Sequence, residues 1–309
     1  MTDQATTNAP SEPSTSGLAK AALAVSRIPL SALVGLFITT TYFLAALFAG
    51  VIAPYGMAET VGQVWEPSRL GWLLGLAPEG TPEPQYWLGT DQIGRDLLTR
   101  LIYGGQTTIF IATMATILSF TTGSVLGFLA AVLGGWIDQA LSRFVDLMMA
   151  IPSLILALVI LSSIEATVVT LIVLMGLLDS TRVYRLARAV AVDISVMDYV
   201  EAARLRGEKL GWIIFREILP NALSPLVAEM GLRFIFMVLF ISTLSFLGIG
   251  VQPPLADWGG IVKENKEGIN FGIGAALYPA IAIATLAISV NLVADWILNR
   301  TTSLKGGRG

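Results

Sequence analysis

Two stretches of this chain, residues 29–52 and 101–137, contain no charged residue at all. About 20 apolar residues as helix cross the ~30 Å hydrocarbon core of a bilayer. Inside lipid a backbone must satisfy its own hydrogen bonds, which leaves helices and closed barrels. Uninterrupted apolar runs of this length select helices. The whole chain agrees: 54% of its 309 residues are hydrophobic and 13% are charged, with a mean hydropathy of +0.73. Soluble domains carry roughly 25% charged residues. The expected fold class is therefore an all-α integral membrane bundle.

About six spans are expected. The first is 29–52 and the second lies within 101–137. The third is 147–164, kinked at Pro152 near its start. The fourth begins at 166–178 and continues past Asp179, which places that residue near the membrane edge. The fifth is 226–247, interrupted by Glu229 and Arg233, and the sixth is 271–294. Lys and Arg placement sets the orientation. With a cytoplasmic N-terminus, the outer segments hold Arg69, Arg95, Arg100, Lys263 and Lys266. The inner segments hold Lys20, Arg27, Arg143, Arg182, Arg185, Arg188, Arg204, Arg206, Lys209, Arg216, Arg300, Lys305 and Arg308, a bias of thirteen to five. Both termini are then cytoplasmic and the protein is multi-pass. Residues 1–28, Ser/Thr/Pro-rich at their start, read as a disordered cytoplasmic tail. Residues 29–52 form an anchor, 53–100 an external segment, 101–300 a core and 301–309 a short cytoplasmic tail. The outer loop 248–270 has a partly re-entrant character.

The residues that are missing exclude much chemistry. Cys and His are both absent. No disulfide, thiolate nucleophile or thiolate metal site can form, and the commonest general base is gone. No serine can be paired with a base inside a span, so an intramembrane hydrolase finds no dyad. No G-x-x-x-x-G-K-[ST] loop occurs. The chain is not expected to be an enzyme or to hydrolyse ATP. No basic patch with stacking aromatics suggests nucleic acid.

The most charged region, "DYVEAARLRGEKLGWIIFREILPNALSPL" (198–226), falls between the fourth and fifth spans, on the cytoplasmic side. Asp198 can cap a helix, with Glu201 as its capping-box partner. Gly207 suits the position that ends that helix. A second helical piece, 208–219, is expected to stop at Pro220. Ala202 and Ala203 keep one face slim enough to enter a groove on a partner. A solvated helical loop is the alternative reading of these features alone.

The spacing adds information. Glu201-Ala202-Ala203, Gly207, Leu219 and Pro220 resemble the EAA signature (EAA-x3-G-x9-I-x-L-P) of ABC importer permeases, with Glu217 standing where the signature has Ile. "WLGTDQIGRDLLTRLIYGG" (87–105), "GGWIDQALSRFVDLMMAIPSLILAL" (134–158), "PNALSPL" (220–226) and "LSFLGIGVQPPLADWG" (244–259) are similar, in order and spacing, to the C-type subunits of the dipeptide/oligopeptide/nickel permeases. The resemblance covers about residues 85–300. It implies a type I importer permease (MetI-like) fold in a bacterial or archaeal inner membrane, with 198–221 as the coupling loop. It also implies the partners: a second permease subunit, two ATP-binding subunits carrying ATP and Mg, and an external substrate-binding protein. No cofactor is implied for this chain. The family often has an acidic residue where Ile241 stands, so a typical peptide cargo does not follow automatically; nickel complexes, opines and oligosaccharides also belong to the family's range.

Glu229 and Arg233, at i and i+4 in the favourable order, read either as part of the translocation path or as a structural ion pair. Asp91, Arg95 and Asp96 read as a tether or a structural cluster, with Asp91 capping a helix from about Gln92. Asp146 and Asp179 are expected at span ends, either interfacial or pairing with Arg143 and Arg182. A carrier driven by an ion gradient is the alternative function, and the absence of His and of deep intramembrane acids speaks against it.

Overall fold

The computed structural model describes residues 29–75 and 82–306. The expected tail, 1–28, lies outside the described residues, as does the end of the C-terminal one. All regular elements among the described residues are helical; the only strand-like features are isolated bridges from Thr60 to Arg95 and from Thr90 to Asp96. The principal helices are α1 (Leu30–Leu47), α2 (Leu97–Leu133), α3 (Gly135–Ala150), α4 (Ser153–Leu161), α5 (Val168–Ser195), α6 (Asp198–Leu205), α7 (Leu219–Leu247), α8 (Trp258–Asn265) and α9 (Leu277–Gly306).

Four of the described helical stretches are long and apolar enough to cross a membrane: Leu30–Leu47, Leu97–Leu133, Leu210–Leu247 and Gly274–Asn299. A fifth crossing results if α3 and α4, bent by 80° at their break, form one span. The differences from the expected six lie in the third and fourth. Pro152 does more than kink the third. It separates α3 from a nine-residue α4, which at 1.5 Å per residue is about 14 Å long and cannot cross alone. The fourth is the 28-residue α5, which carries Asp179, Arg182, Arg185, Arg188 and Asp193 and so fails a test of apolarity. Its arginines have acidic partners. Arg185 donates to Asp146 (2.6 Å), and Arg188 pairs with Asp138, both acids on α3. Asp146 therefore pairs with Arg185, not with Arg143 or Arg182.

The α2–α5 contact is the most extensive between helices of the described residues. Gly123 and Gly127, four residues apart, bring the two backbones together. A Cβ at Gly123 would stand 2.7 Å from Ser180 O, and one at Gly127 would stand 2.8 Å from both Arg188 N and Tyr184 O. Small residues at this spacing allow close approach where no water drives helices together. α1 packs on α9 in the same way. Gly35 approaches Ser289, Thr39 donates to Ser289 Oγ (3.0 Å), and Tyr42 shares a hydrogen bond with Thr285 (2.7 Å).

The external segment and the loop after α7 form one knot. Trp258 is buried beside Gly104 and Gly105, its indole N–H donating to Leu101 O (2.9 Å) and its amide to Thr108 Oγ1 (3.1 Å). Asp96, not Asp91, caps α2, accepting from Thr99 N at 2.7 Å. No helix begins at Gln92. Asp91 is fully buried and instead accepts from the amides of Ile93 and Arg95 and from both Arg95 Nε and Arg100 Nη1 at 2.7 Å. Glu264 on α8 closes the cluster against Arg95 (2.8 Å) and Arg100. Two acids meet two guanidiniums, so the buried charge is balanced.

Candidate functional site

The region 198–226 folds as a short helix joined to a long one by an irregular segment. α6 spans Asp198–Leu205 with Met197 at its N-cap and no side-chain cap bond. Asp198 is therefore the first helical residue, and the expected capping box does not form. Asp198 and Glu201 still lie in the first turn and Arg204 in the last, as the helix dipole favours. The C-terminus closes as a Schellman motif. Gly207 has φ +78°, its amide bonds Arg204 O (2.9 Å), and the Glu208 amide bonds Ala203 O (3.2 Å). Only glycine adopts that backbone without strain.

Pro220 does not end the second helical piece. A helical turn Leu210–Trp212 passes into a π-helical turn Ile213–Ile218, and this runs directly into α7, with Pro220 in its first turn. A proline ring clashes with the carbonyl four residues earlier and offers no N–H. The wider π turn just before Pro220 accommodates both defects, so the chain bends without stopping. Pro225 lies inside α7.

The two alanines face opposite ways. Val200 and Ala203 are fully buried, and Val200 belongs to one apolar cluster with Ile213, Ile214 and Ile218 of the π turn and Ile194 of α5. Glu201, Ala202, Arg204 and Leu205 are exposed, Leu205 at 84%. The slim face expected to be open is half taken by the chain's own body. Ala202 stays outside and Ala203 is fully buried. Leu219 is half-buried beside the same cluster, and Pro220 is exposed. Arg206 lies over the Trp212 ring at 5.7 Å and braces the turn from the outside. Val200 thus links α6 to the π turn, which runs on into α7.

Glu229 and Arg233 do form an ion pair on α7, with Arg233 Nε 2.8 Å from Glu229 Oε1. The pair belongs to a larger group that includes Asp179. That residue sits near the middle of α5, 2% exposed. Ser119 of α2 donates to its Oδ2 (2.9 Å), while Arg182 and Arg233 approach its Oδ1 at 3.5 and 3.6 Å. One buried carboxylate thus ties α2, α5 and α7 together. Hydropathy hid this group, because its members lie on helices about fifty residues apart. Ile241, where the family resemblance leads one to look for an acid, is fully buried in the apolar core with Met237 and Leu244. Among the described residues, no group of three or more Asp or Glu side chains is arranged to hold a metal ion.

Residues 123–303 match the family described as binding-protein-dependent transport system inner membrane component. The dipeptide transport system permease protein DppC of Alkalihalophilus pseudofirmus is 31% identical over 264 residues, covering 85% of this chain and 83% of the relative. DppC of Haemophilus influenzae is 32% identical over 264 residues, 85% and 87% of the two chains. The di/tripeptide permease DppC of Pseudomonas aeruginosa is 32% identical over 266 residues, 85% of each. The matched region contains α6, the π turn and α7 entire, and with them every residue of the coupling signature. By these similarities and its helical architecture, the chain belongs to the family of binding-protein-dependent transport system inner membrane components.

Proposed function

We propose that this chain is one permease subunit of an ATP-driven importer of peptides, moving its cargo by alternating access. A second permease completes the path. Two ATP-binding subunits, which hold ATP and Mg, dock at the cytoplasmic face, and a substrate-binding protein delivers cargo from outside. The termini are cytoplasmic and the membrane is a bacterial or archaeal inner membrane. One observation carries the reading. α6 presents an exposed, glycine-terminated face of Glu201, Ala202, Arg204 and Leu205, while its opposite face buries Ala203 and packs through Val200 on the π turn that leads into α7. A lever needs one free face to be pushed and one fixed face to transmit. The peptide class is supported by the names of the relatives.

The test separates the two faces. Ala202→Arg places bulk where only a partner would meet it. The assembled transporter should keep its amount in the membrane, lose at least about tenfold in peptide uptake, and lose ATPase stimulation by loaded binding protein. A factor of ten is about 1.4 kcal/mol of docking free energy. Ala203→Glu should instead lower the amount of folded chain, because it buries a charge. Full uptake by Ala202→Arg would overturn the coupling assignment.

A further inference from the structure

The break between α3 and α4 exposes irregular backbone at Ile151 and Pro152. Irregular backbone at membrane depth is tolerated only against protein or a water-filled space. Beside the break lies a cavity of about 100 Å³ lined by Met149, Pro152, Ser153, Leu178, Thr181 and Arg182. The Arg182 side chain is 34% exposed there, and Arg233 and Glu229 on α7 are 24% and 26% exposed. Charges on spanning helices do not face hydrocarbon. Backbone and side chains independently mark the same side of the molecule as wet or protein-covered.

The pairing within the group is uneven. Glu229 and Arg233 hold each other closely. Arg182 has one ionic partner among the described residues, Asp179, at 3.5 Å and without a hydrogen bond; its other contact is the face of Phe236, 4.5 Å away. Asp179 Oδ1 has no hydrogen bond, although the residue is almost wholly buried. A guanidinium offers a planar fork to a carboxylate, and here the fork is unfilled.

We propose that this face is a wall of the translocation path, and that Arg182, backed by Arg233, is a transient binding site for a carboxylate of the passing cargo. Asp179 supplies the counter-charge when the path is empty. The loose geometry lets a cargo carboxylate take over the Arg182 guanidinium, after which Asp179 keeps only the Arg233 that it shares with Glu229, so the exchange is readily reversed. For a peptide the group bound is the C-terminal carboxylate or an acidic side chain. This inference rests on the importer reading and adds a contact residue to it.

The absence of cysteine gives a direct test. Thr181→Cys, or Ser153→Cys if the first does not assemble, places one thiol on the cavity in the complete transporter. Its rates with anionic sulfonatoethyl and cationic trimethylammonium-ethyl methanethiosulfonates are compared with those of a free thiol. The anionic reagent should be favoured about tenfold or more, as local fields in clefts allow, and Arg182→Gln should remove the preference while Arg182→Lys retains most of it. Alanyl-alanine should protect the thiol, and its C-terminal amide should not. A thiol unreactive with both reagents, with and without ATP, would mean a covered face and overturn the proposal. So would equal rates indifferent to Arg182→Gln, or transport of alanyl-alanine without protection. A charge preference in a transporter that moves no peptide would uphold the anion site and sink the peptide reading.

Discussion

Arg100 is the residue on which the external knot turns. Its side chain is 2% exposed and meets Asp91 and Glu264 together. Removing one partner of a buried pair costs about 3–5 kcal/mol, because the remaining charge stays buried and alone. Arg100→Ala should therefore lower the melting temperature of the purified transporter sharply, and Arg100→Lys should recover part of the loss. Asp91 adds a pH signature. Burial raises its pKa, yet the amides of Arg95 and Ile93 and the two guanidiniums outweigh burial and hold the carboxyl below its ordinary value. A lowered folded pKa means that the unfolded chain binds more protons near its own value of about 3.9. This stabilisation is complete above that value and is lost as pH falls through the lower, folded one. Melting should show no pH dependence from Asp91 between neutral pH and about 5, then a decline below about 4 that Asp91→Asn lacks. A decline beginning near neutral pH and abolished by Asp91→Asn would contradict this. The sequence suggests Asp91 as the cap, and the structure uses Asp96. Local pattern cannot rank them. The choice is made by Glu264, which occupies the guanidiniums from the far end of the chain and leaves Asp96 to the helix.

At the scale of elements, the bundle depends on α2 meeting α5 backbone to backbone. Gly127→Leu would place a Cβ 2.8–2.9 Å from Arg188 N, Tyr184 O and Ala187 Cβ. Two of these atoms are main chain and cannot rotate away. The helices must separate, at a cost near the upper end of the usual ~1–3 kcal/mol for overpacking. The amount of chain recovered from membranes and its melting temperature should both fall. Gly211→Ala is the control, since nothing lies within 4 Å of its added Cβ. Equal behaviour of the two variants would show that the close approach does not hold the bundle. The long apolar spans were legible because lipid demands a continuous run. α5 was only half legible. Its arginines at 182, 185 and 188 read as a cytoplasmic end, and the acids of α3 and the Ser119–Asp179 bond that let the helix continue come from other elements. The Schellman turn at Gly207 was legible from one residue. The passage through Pro220 was not, because a π turn has no residue signature of its own.

The whole molecule presents apolar surface in every direction that α1 faces: Leu30, Phe37, Leu47 and Val51 are between 71% and 85% exposed. Lipid can cover that side. It cannot suitably cover the side carrying Arg182, Arg233, Glu229 and the α3–α4 break, nor the outer face of α6. A chain with two such faces is incomplete by itself, and its stability should depend on what occupies them. Mild-detergent purification of the tagged chain from its native membrane should bring a second multi-pass permease and an ATP-binding subunit with it. Those partners should raise its melting temperature over that of the isolated chain, and Ala202→Arg should lose the ATP-binding subunit while keeping the second permease. The two faces are then separable: α6 holds the motor, and the charged face meets the other half of the path. Recovery of the chain alone, with an unchanged melting temperature, would remove the case for both contacts. The balanced charge of the Asp179 group would then need a purely internal explanation, and transport driven by an ion gradient would be the next reading to measure.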